Sequence, residues 1–415
     1  MSPRLLITGA SGYIGARLVT LALHAGCEVV VLGSPPPFVS VPAYPWRLGE
    51  EPPPAALAAA TAVVHLGHSW EGDRASRGGE ANTNLVGAER LAGAALAAGI
   101  ARFIFASSTS ARASALNNYG RAKHTIEQRL LALPGASSGI FIARIGLVYG
   151  GPERGQYGMM SKLVELTPVL PMIGLDRRVQ PIHLDEVCHA LLRLALDPPR
   201  DRQTVVVAGA RPVTFGAWLR TLRRARTGKR LVLIPVPIGL VLLACSLMRL
   251  VPWVPAVDRE RVLGLAGAAP MESAEDLAAL AIAPADPAAK LATGRVARRR
   301  VLTESVAMLR YVSGRRSPSP GAVIRLARAL QRDSAPGRAL PAVVLRWPSL
   351  MGLLEPWRPS MGHFLSRRLH LAAMVAESLP QEAETKEASM VVLTGRLALE
   401  MLALPIRLLC GRLYA

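Results

Sequence analysis

The sequence predicts an α/β fold, a doubly wound parallel sheet with helices on both faces. Two observations carry that prediction. Short apolar, β-branched runs alternate with longer helix-prone stretches through the first two hundred residues, and turn residues, glycine above all, mark the changes. The first of those changes is a strand that stops at glycine and resumes as a helix. Alternation at this spacing implies βαβ units, whose crossovers make the strands parallel.

The elements follow in order. Residues 4–8 (RLLIT) read as a buried strand stopped by Gly9. Residues 12–25 read as a helix with apolar residues at Ile14, Leu18, Leu21 and Ala22, closed by Gly26. CEVVVL at 27–32 and AVVHL at 62–66 are the second and third clear strands. The Ala- and Leu-rich stretch 84–98 is helical, RFIFA at 102–106 is a strand, and 119–133 is a helix ended by Pro134 and Gly135. IFIARI at 140–145 is again a strand. From Gly150 the alternation loosens, with a helix at 183–196 and a strand at 204–208. RRSPSPG at 315–321 has a linker's composition, and the remaining residues are helix-prone and Arg-rich. In such a sheet ligands bind at the carboxyl ends of the strands, so the loops after Thr8, Leu32, Leu66 and Ala106 are expected to face one crevice.

Bulk numbers narrow the class. A chain of 415 residues with 51% hydrophobic content has room for two domains and is not disordered throughout. The net charge of +20 is uneven: residues 1–200 hold 18 basic and 14 acidic side chains, residues 201–415 hold 31 and 15. Only five of the 49 basic residues are Lys. A GC-rich coding sequence and a surface that prefers anions explain this equally well, and no nucleic-acid motif accompanies it. Nucleic acid is therefore not an expected partner. Cys27, Cys188, Cys245 and Cys410 are far apart and form no CxxC pair, which points to a reducing, cytoplasmic setting without disulfides or a zinc site. The N-terminus does not read as a signal peptide. Residues 231–248 are free of charge, but Pro235 and Pro237 break them, so a strand, a turn and a buried helix are expected rather than a membrane span.

Three stretches carry chemistry. In Thr8-Gly9-Ala10-Ser11-Gly12-Tyr13-Ile14-Gly15, the first glycine makes the tight turn and the second lets backbone approach a pyrophosphate. The third lets helix pack on strand, and the helix N-terminus offers free N–H groups to phosphate. In Tyr119-Gly120-Arg121-Ala122-Lys123, Tyr and Lys lie four apart on one helix face. An ammonium beside a phenol lowers its pKa towards the range of a general acid/base. Ser107-Ser108-Thr109-Ser110 follows a strand directly, which sets hydroxyls at the crevice.

Taken in this order, these stretches resemble the extended short-chain dehydrogenase/reductase superfamily, and within it the NAD-dependent epimerase/dehydratase family. The resemblance covers roughly residues 3–290. It is carried by ITGASGYIGARLV, AVVHLG, NLVGAERLAGAALAAGIARFIFASS, NNYGRAKHTIEQ, ARIGLVYGGPERG and QPIHLDEVCHALL. It implies a Rossmann-type core over 1–170, rejoined by 176–210, and a smaller substrate-binding part over 171–315; the helix-prone, Arg-rich extension over 316–415 fits nothing in the family. It also implies a nicotinamide cofactor, NAD or NADP with NAD preferred, held by Gly9, Ser11, Gly12, Tyr13, Ile14, Gly15, Gly33, Ser34, Leu66, Gly67, Asn84 and Lys123. Tyr119 is then the general acid/base, Lys123 its pKa-lowering neighbour, and Ser108 or the adjacent Thr109 the supporting hydroxyl. Arg144 and Tyr149 border the substrate. His183 and Asp185 tie the substrate part to the core, Asp185 more as a helix cap than as a ligand group.

Departures from the family pattern sharpen these expectations. Val31-Leu32-Gly33-Ser34 has no carboxylate where NAD-preferring members place one, and Arg47 is the nearest arginine before the third strand. The loop from Ser108 to Tyr119 is short, and SSTSARA lacks the acidic pair of sugar dehydratases. The expected activity is hydride transfer on a nucleotide sugar or lipid-carried sugar, as an epimerase or oxidoreductase. A dehydrogenase or reductase of a lipophilic alcohol or ketone, its pocket lined by the apolar 231–254 region, is the alternative, and a non-catalytic dinucleotide-binding protein is the third. Residues 390–415, with Arg396, Arg407 and Arg412 among apolar residues, suit peripheral contact with an anionic membrane. Packing on the main domain or in a homodimer is the favoured expectation.

Overall fold

The protein is described from a computed structural model, which defines residues 2–36, 39–69, 82–199, 202–239, 259–314, 317–332, 340–355 and 364–378. The chain forms two compact units, Met1–Thr293 and Gly294–Ala415.

The first unit is built on a seven-stranded sheet. β1 (Arg4–Thr8), β2 (Glu28–Leu32), β3 (Ala43–Tyr44), β4 (Ala62–His65), β5 (Arg102–Ser108) and β6 (Ile140–Ile145) are joined by a strand from later in the chain, β11 (Thr204–Val207). Their order is β11-β6-β5-β4-β1-β2-β3 and every pairing is parallel. The order reverses at β1, so the turn after Thr8 opens at the switch point where such sheets bind ligands. Residues such as Leu5, Leu6, Ile7, Val63 and Val64 are fully buried, because helices cover both faces. On one face α1 (Tyr13–His24) packs beside α5 (Leu184–Leu196). On the other, α2 (Thr83–Ala97) packs beside α3 (Asn118–Leu131).

The expected strands and helices are present with ends shifted by a residue or two. β3 is an addition, a two-residue edge strand too short to leave a periodic signal.

The rest of the first unit is made of small pieces around a third core. α4 (Gly155–Leu166) packs against α6 (Phe215–Thr227), with Trp218, Leu219, Leu222 and Val164 buried between them. Three two-stranded sheets flank them. β7 (Leu147–Tyr149) pairs with β10 (Pro181–His183), β8 (Val169–Met172) with β13 (Val232–Pro235), and β9 (Arg178–Val179) with β12 (Val213–Thr214). The expected strand near 231 is thus β13, with Val232 and Ile234 exposed; residues 240–258, where the buried helix was expected, lie outside the described set. α7 (Arg259–Ala266) returns to lie against α3.

The next long helix is α8 (Pro287–Ser313). The second unit gathers a core of its own. α9 (Pro320–Arg332) packs on α10 (Phe364–Glu377), burying Leu326, Leu330, Leu365 and Leu369. Within it Glu304 is held by Arg368 at 2.9 Å and Arg300 at 3.2 Å. The amphipathic stretch expected from residue 390 lies outside the described residues. Among the described residues, no helix is long and apolar enough to cross a membrane.

Candidate active site

The turn after β1 has the shape its glycines foretell. Gly9 sits at φ +65°, and a Cβ there would stand 2.9 Å from the Gly67 nitrogen. A Cβ on Gly15 would stand 2.2 Å from the Gly9 carbonyl oxygen, so only glycine lets the start of α1 lie on its own turn. Gly12 is the N-cap of α1 and carries no side-chain cap, which leaves the first-turn N–H groups directed outwards. Beyond its own turn Gly12 faces open space. This open, donor-lined cradle with a helix N-terminus behind it fits a dinucleotide pyrophosphate.

Side chains lock the cradle from behind. The Thr8 hydroxyl oxygen accepts from the backbone N–H groups of Leu66 at 3.2 Å and Gly67 at 3.0 Å. Its own proton then goes to His65 Nδ1, 2.7 Å away, which leaves the His65 ring proton on Nε2. His65 is buried, and desolvation, with Lys123 and His68 adding to it, pushes its pKa down to about 3. Tyr13 donates its hydroxyl to the Gly150 carbonyl at 2.5 Å, and burial pushes that phenol upward, so it stays neutral. Arg154 reaches the Ser11 carbonyl at 3.2 Å. Ser11 is exposed, and Ile14 accepts a long contact from the Cys188 thiol at 3.7 Å. Asn84, inside α2, holds the loop after β4: its Oδ1 accepts from Ser69 N, and its Nδ2 donates to Ser69 O, both at 2.8 Å.

The expected acid/base pair sits at the mouth of the same crevice. Asn117 caps α3, which puts Tyr119 in the first turn and Lys123 one turn on, on the same face. Lys123 Nζ donates to the Ala106 carbonyl at 2.8 Å and lies 4.4 Å from the Phe105 ring centre. The ring of His68 meets the Tyr119 ring edge-on, centroids 5.3 Å apart. Gly120 explains why glycine follows the tyrosine: a Cβ there would stand 2.5 Å from the Ser110 carbonyl. The loop that begins at Ser108 is thereby drawn against the helix start. Ser108 accepts from Ser110 N at 3.2 Å, and Thr109 N donates to the Ile145 carbonyl at 3.0 Å.

A second polar cluster lies below. Glu127, a further turn along α3, is buried. It accepts two hydrogen bonds from Arg144, at 3.0 Å from Nε and 2.6 Å from Nη2, and another from the Ser107 hydroxyl. Hydrogen bonding to Glu127 raises the Arg144 pKa further. The guanidinium expected beside the substrate is thus held against the Ser107 strand end. Tyr149 is 1% exposed, edge-on to His183 and against Trp218, and its hydroxyl has no partner among the described residues. Burial keeps that hydroxyl protonated. Asp185 does not cap its helix. His183 is the N-cap, in a capping box with Glu186, and Asp185 pairs with Arg17 at 2.6 Å. That pair joins α5 to α1. Thr8, His65, His68 and Glu127 escaped the sequence reading. For Thr8 and His65 the available signal was a polar residue ending an otherwise apolar strand run; nothing local marks His68 or Glu127.

At the far end of the crevice, Gly33 and Ser34 leave β2, and Gly33 N donates to the Tyr44 carbonyl at 2.8 Å. Among the described residues, no cluster of His, Cys, Asp and Glu forms a metal site.

Residues 5–209 match the model of the NAD dependent epimerase/dehydratase family. Over this segment, just under half of the chain, the sequence resembles that family. The family is one of enzymes: NAD-dependent epimerases, dehydratases and reductases. A ceramide reductase of Caulobacter vibrioides (strain NA1000 / CB15N) is 30% identical over 210 residues, 46% of this chain and 61% of that protein. The match therefore spans less than two thirds of that relative. Among solved structures, MoeE5 in complex with UDP-glucose and NAD superposes with a TM-score of 0.54 at 21% identity, over 72% of this chain and 99% of that one. The UDP-N-acetylglucosamine 4-epimerase from Bacillus cereus gives 0.53 at 15%, over 72% and 97%. At these identities the likeness is one of fold.

Proposed function

We propose that this chain moves a hydride between a nicotinamide dinucleotide and a secondary hydroxyl of its substrate, or the matching ketone, with Tyr119 as general acid/base. One observation carries the reading. Gly120 seats the Ser108–Ser110 loop on the start of α3 while Lys123 grips the Ala106 carbonyl, so hydroxyl, phenol and ammonium are carried by one rigid joint.

The cofactor, when bound, accepts or supplies the hydride. Gly9, Gly12 and Gly15, with the N–H groups around Ser11, Tyr13 and Ile14, hold its phosphates. Leu66 and Gly67 line its path, and Asn84 steadies that loop. Tyr119 takes the proton from a substrate hydroxyl, or returns it to a ketone. The Lys123 charge lowers the cost of the phenolate, and Ser108, with Thr109 beside it, hydrogen-bonds the reacting oxygen. Arg144 and Tyr149 shape the substrate side from behind, through Glu127 and Trp218. Release of the ketone, or its reduction on the opposite face, distinguishes dehydrogenase from epimerase.

Two substrate classes compete. A nucleotide sugar, or a sugar carried on lipid, is supported by the fold shared with a protein described with UDP-glucose and NAD bound. A lipophilic alcohol or ketone is supported by the ceramide reductase likeness and by the exposed Val232, Ile234 and Ile238 on the substrate side. A thermal-shift and turnover screen separates them. Stabilisation and interconversion of UDP-sugars favours the first, and turnover only of long-chain keto lipids in micelles favours the second. Tyr119→Phe is expected to lower turnover about 10²–10⁴-fold with the dinucleotide still bound. Unchanged turnover overturns the assignment. For residues 316–415 homodimer packing is the first proposal and peripheral contact with an anionic membrane the second. On the second, a chain lacking them is expected to lose liposome sedimentation.

A further inference from the structure

We infer that the ribose end of the crevice selects the 2′-phosphorylated dinucleotide, NADP(H), and that Arg47 makes the selection. The inference rests on the reading above that the crevice holds a nicotinamide dinucleotide. β1 and β2 run in register with Thr8 beside Leu32, so Gly9 and Gly33 leave the sheet side by side. Phosphates seated on the Gly9–Gly12 turn therefore set the adenosine ribose over Gly33 and Ser34.

A ribose diol is held by a carboxylate at the end of β2, which also repels a 2′-phosphate. Val31-Leu32-Gly33-Ser34 provides none. Glu28 lies at the other end of the strand, on Arg4 at 2.8 Å. What reaches the ribose position arrives through β3. The pairing of Leu32 with Tyr44 and the bond from Gly33 N to Tyr44 O bring the chain after Tyr44 out at the same edge. The Trp46 carbonyl lies 3.6 Å from where a Gly33 Cβ would stand, and Arg47 is the next residue.

The charges around Arg47 leave its guanidinium available. The Glu50 carboxylate accepts from the Arg47 backbone N–H at 3.0 Å and closes its own turn. Glu51 pairs with Arg90 at 3.3 Å, and Arg90 also donates to the Gly49 carbonyl at 2.6 Å. The Arg47 side chain is exposed and has no ion pair among the described residues. A planar guanidinium engages a phosphate through two parallel hydrogen bonds, and the exposed Ser34 hydroxyl adds a donor. Family resemblance alone favours NAD; the residues at this edge favour NADP.

The test is calorimetric binding of NADP⁺ and NAD⁺ to the full chain. NADP⁺ is expected to bind at least about tenfold tighter, with the gap narrowing as salt rises. Arg47→Ala closes the gap by weakening NADP⁺ alone, Arg47→Lys keeps part of it, and Ser34→Asp inverts the order. Equal or tighter binding of NAD⁺ by the unaltered chain overturns the inference. So does Arg47→Ala weakening both ligands alike. Failure of a folded chain, judged by circular dichroism, to bind either dinucleotide overturns the reading of the whole crevice and this inference with it.

Discussion

At the scale of single residues, the turn after β1 depends on buried polar groups that bond one another. Thr8 is the clearest case, since one hydroxyl satisfies two backbone donors and one imidazole. Thr8→Val leaves those partners in a dry interior, so urea denaturation is expected to show a loss of about 1–3 kcal/mol per orphaned group. His65 makes stability depend on pH. Its folded pKa of about 3 lies below the usual 6.5, so the neutral form stabilises the fold. That contribution is complete above about pH 6.5 and is lost as pH falls towards 3, because only the unfolded chain takes up the proton. The slope is about 1.4 kcal/mol per pH unit. Denaturation midpoints between pH 6 and 4 are expected to fall more steeply for the native chain than for His65→Gln, which does not titrate there. Equal slopes would contradict this assignment.

At the scale of elements, the site is a set of joints between strand ends and helix starts. Tyr119, Lys123 and Glu127 follow at four-residue steps along one face of α3, meeting the His68 ring, the Ala106 carbonyl, and Arg144 with Ser107 in turn. Removing one member of a buried ion pair strands the other. Glu127→Gln is therefore expected to cost about 3 kcal/mol in equilibrium unfolding and to loosen β6 against α3. The α1 joint is steric. Gly15→Ala places a methyl 2.2 Å from the Gly9 carbonyl, so helix and turn must separate. Dinucleotide affinity is expected to collapse with a stability loss of about 1–3 kcal/mol. These joints were only partly legible. The glycines announced the turn, and YGRAK announced the helix. That Gly120 serves the Ser110 carbonyl requires knowing where β5 ends, two residues beyond the expected Ala106.

At the scale of the whole molecule, the chain is two units, and the catalytic reading belongs to the first. Dinucleotide at a hundred times its dissociation constant is expected to stabilise the folded chain by about 2.7 kcal/mol, read as a rise in melting temperature. The central sheet was legible because parallel strands buried on both faces are written as near-continuous apolar runs, and the helices between them as periodic ones. β3 and the three two-stranded sheets were not, since elements of two to four residues are made by their partners rather than by their own pattern. The sequence by itself determined the fold class and the glycine turn after β1, because alternating apolar runs and closely spaced glycines are patterns written along the chain. Only the tertiary structure decided that Arg144 is held by Glu127, that His183 rather than Asp185 caps its helix, and that β3 brings the chain before Arg47 beside Gly33. The first and last are contacts between residues distant in sequence, chosen by the burial of charge and the register of strands, and the cap falls to His183 because the distant Arg17 takes the Asp185 carboxylate.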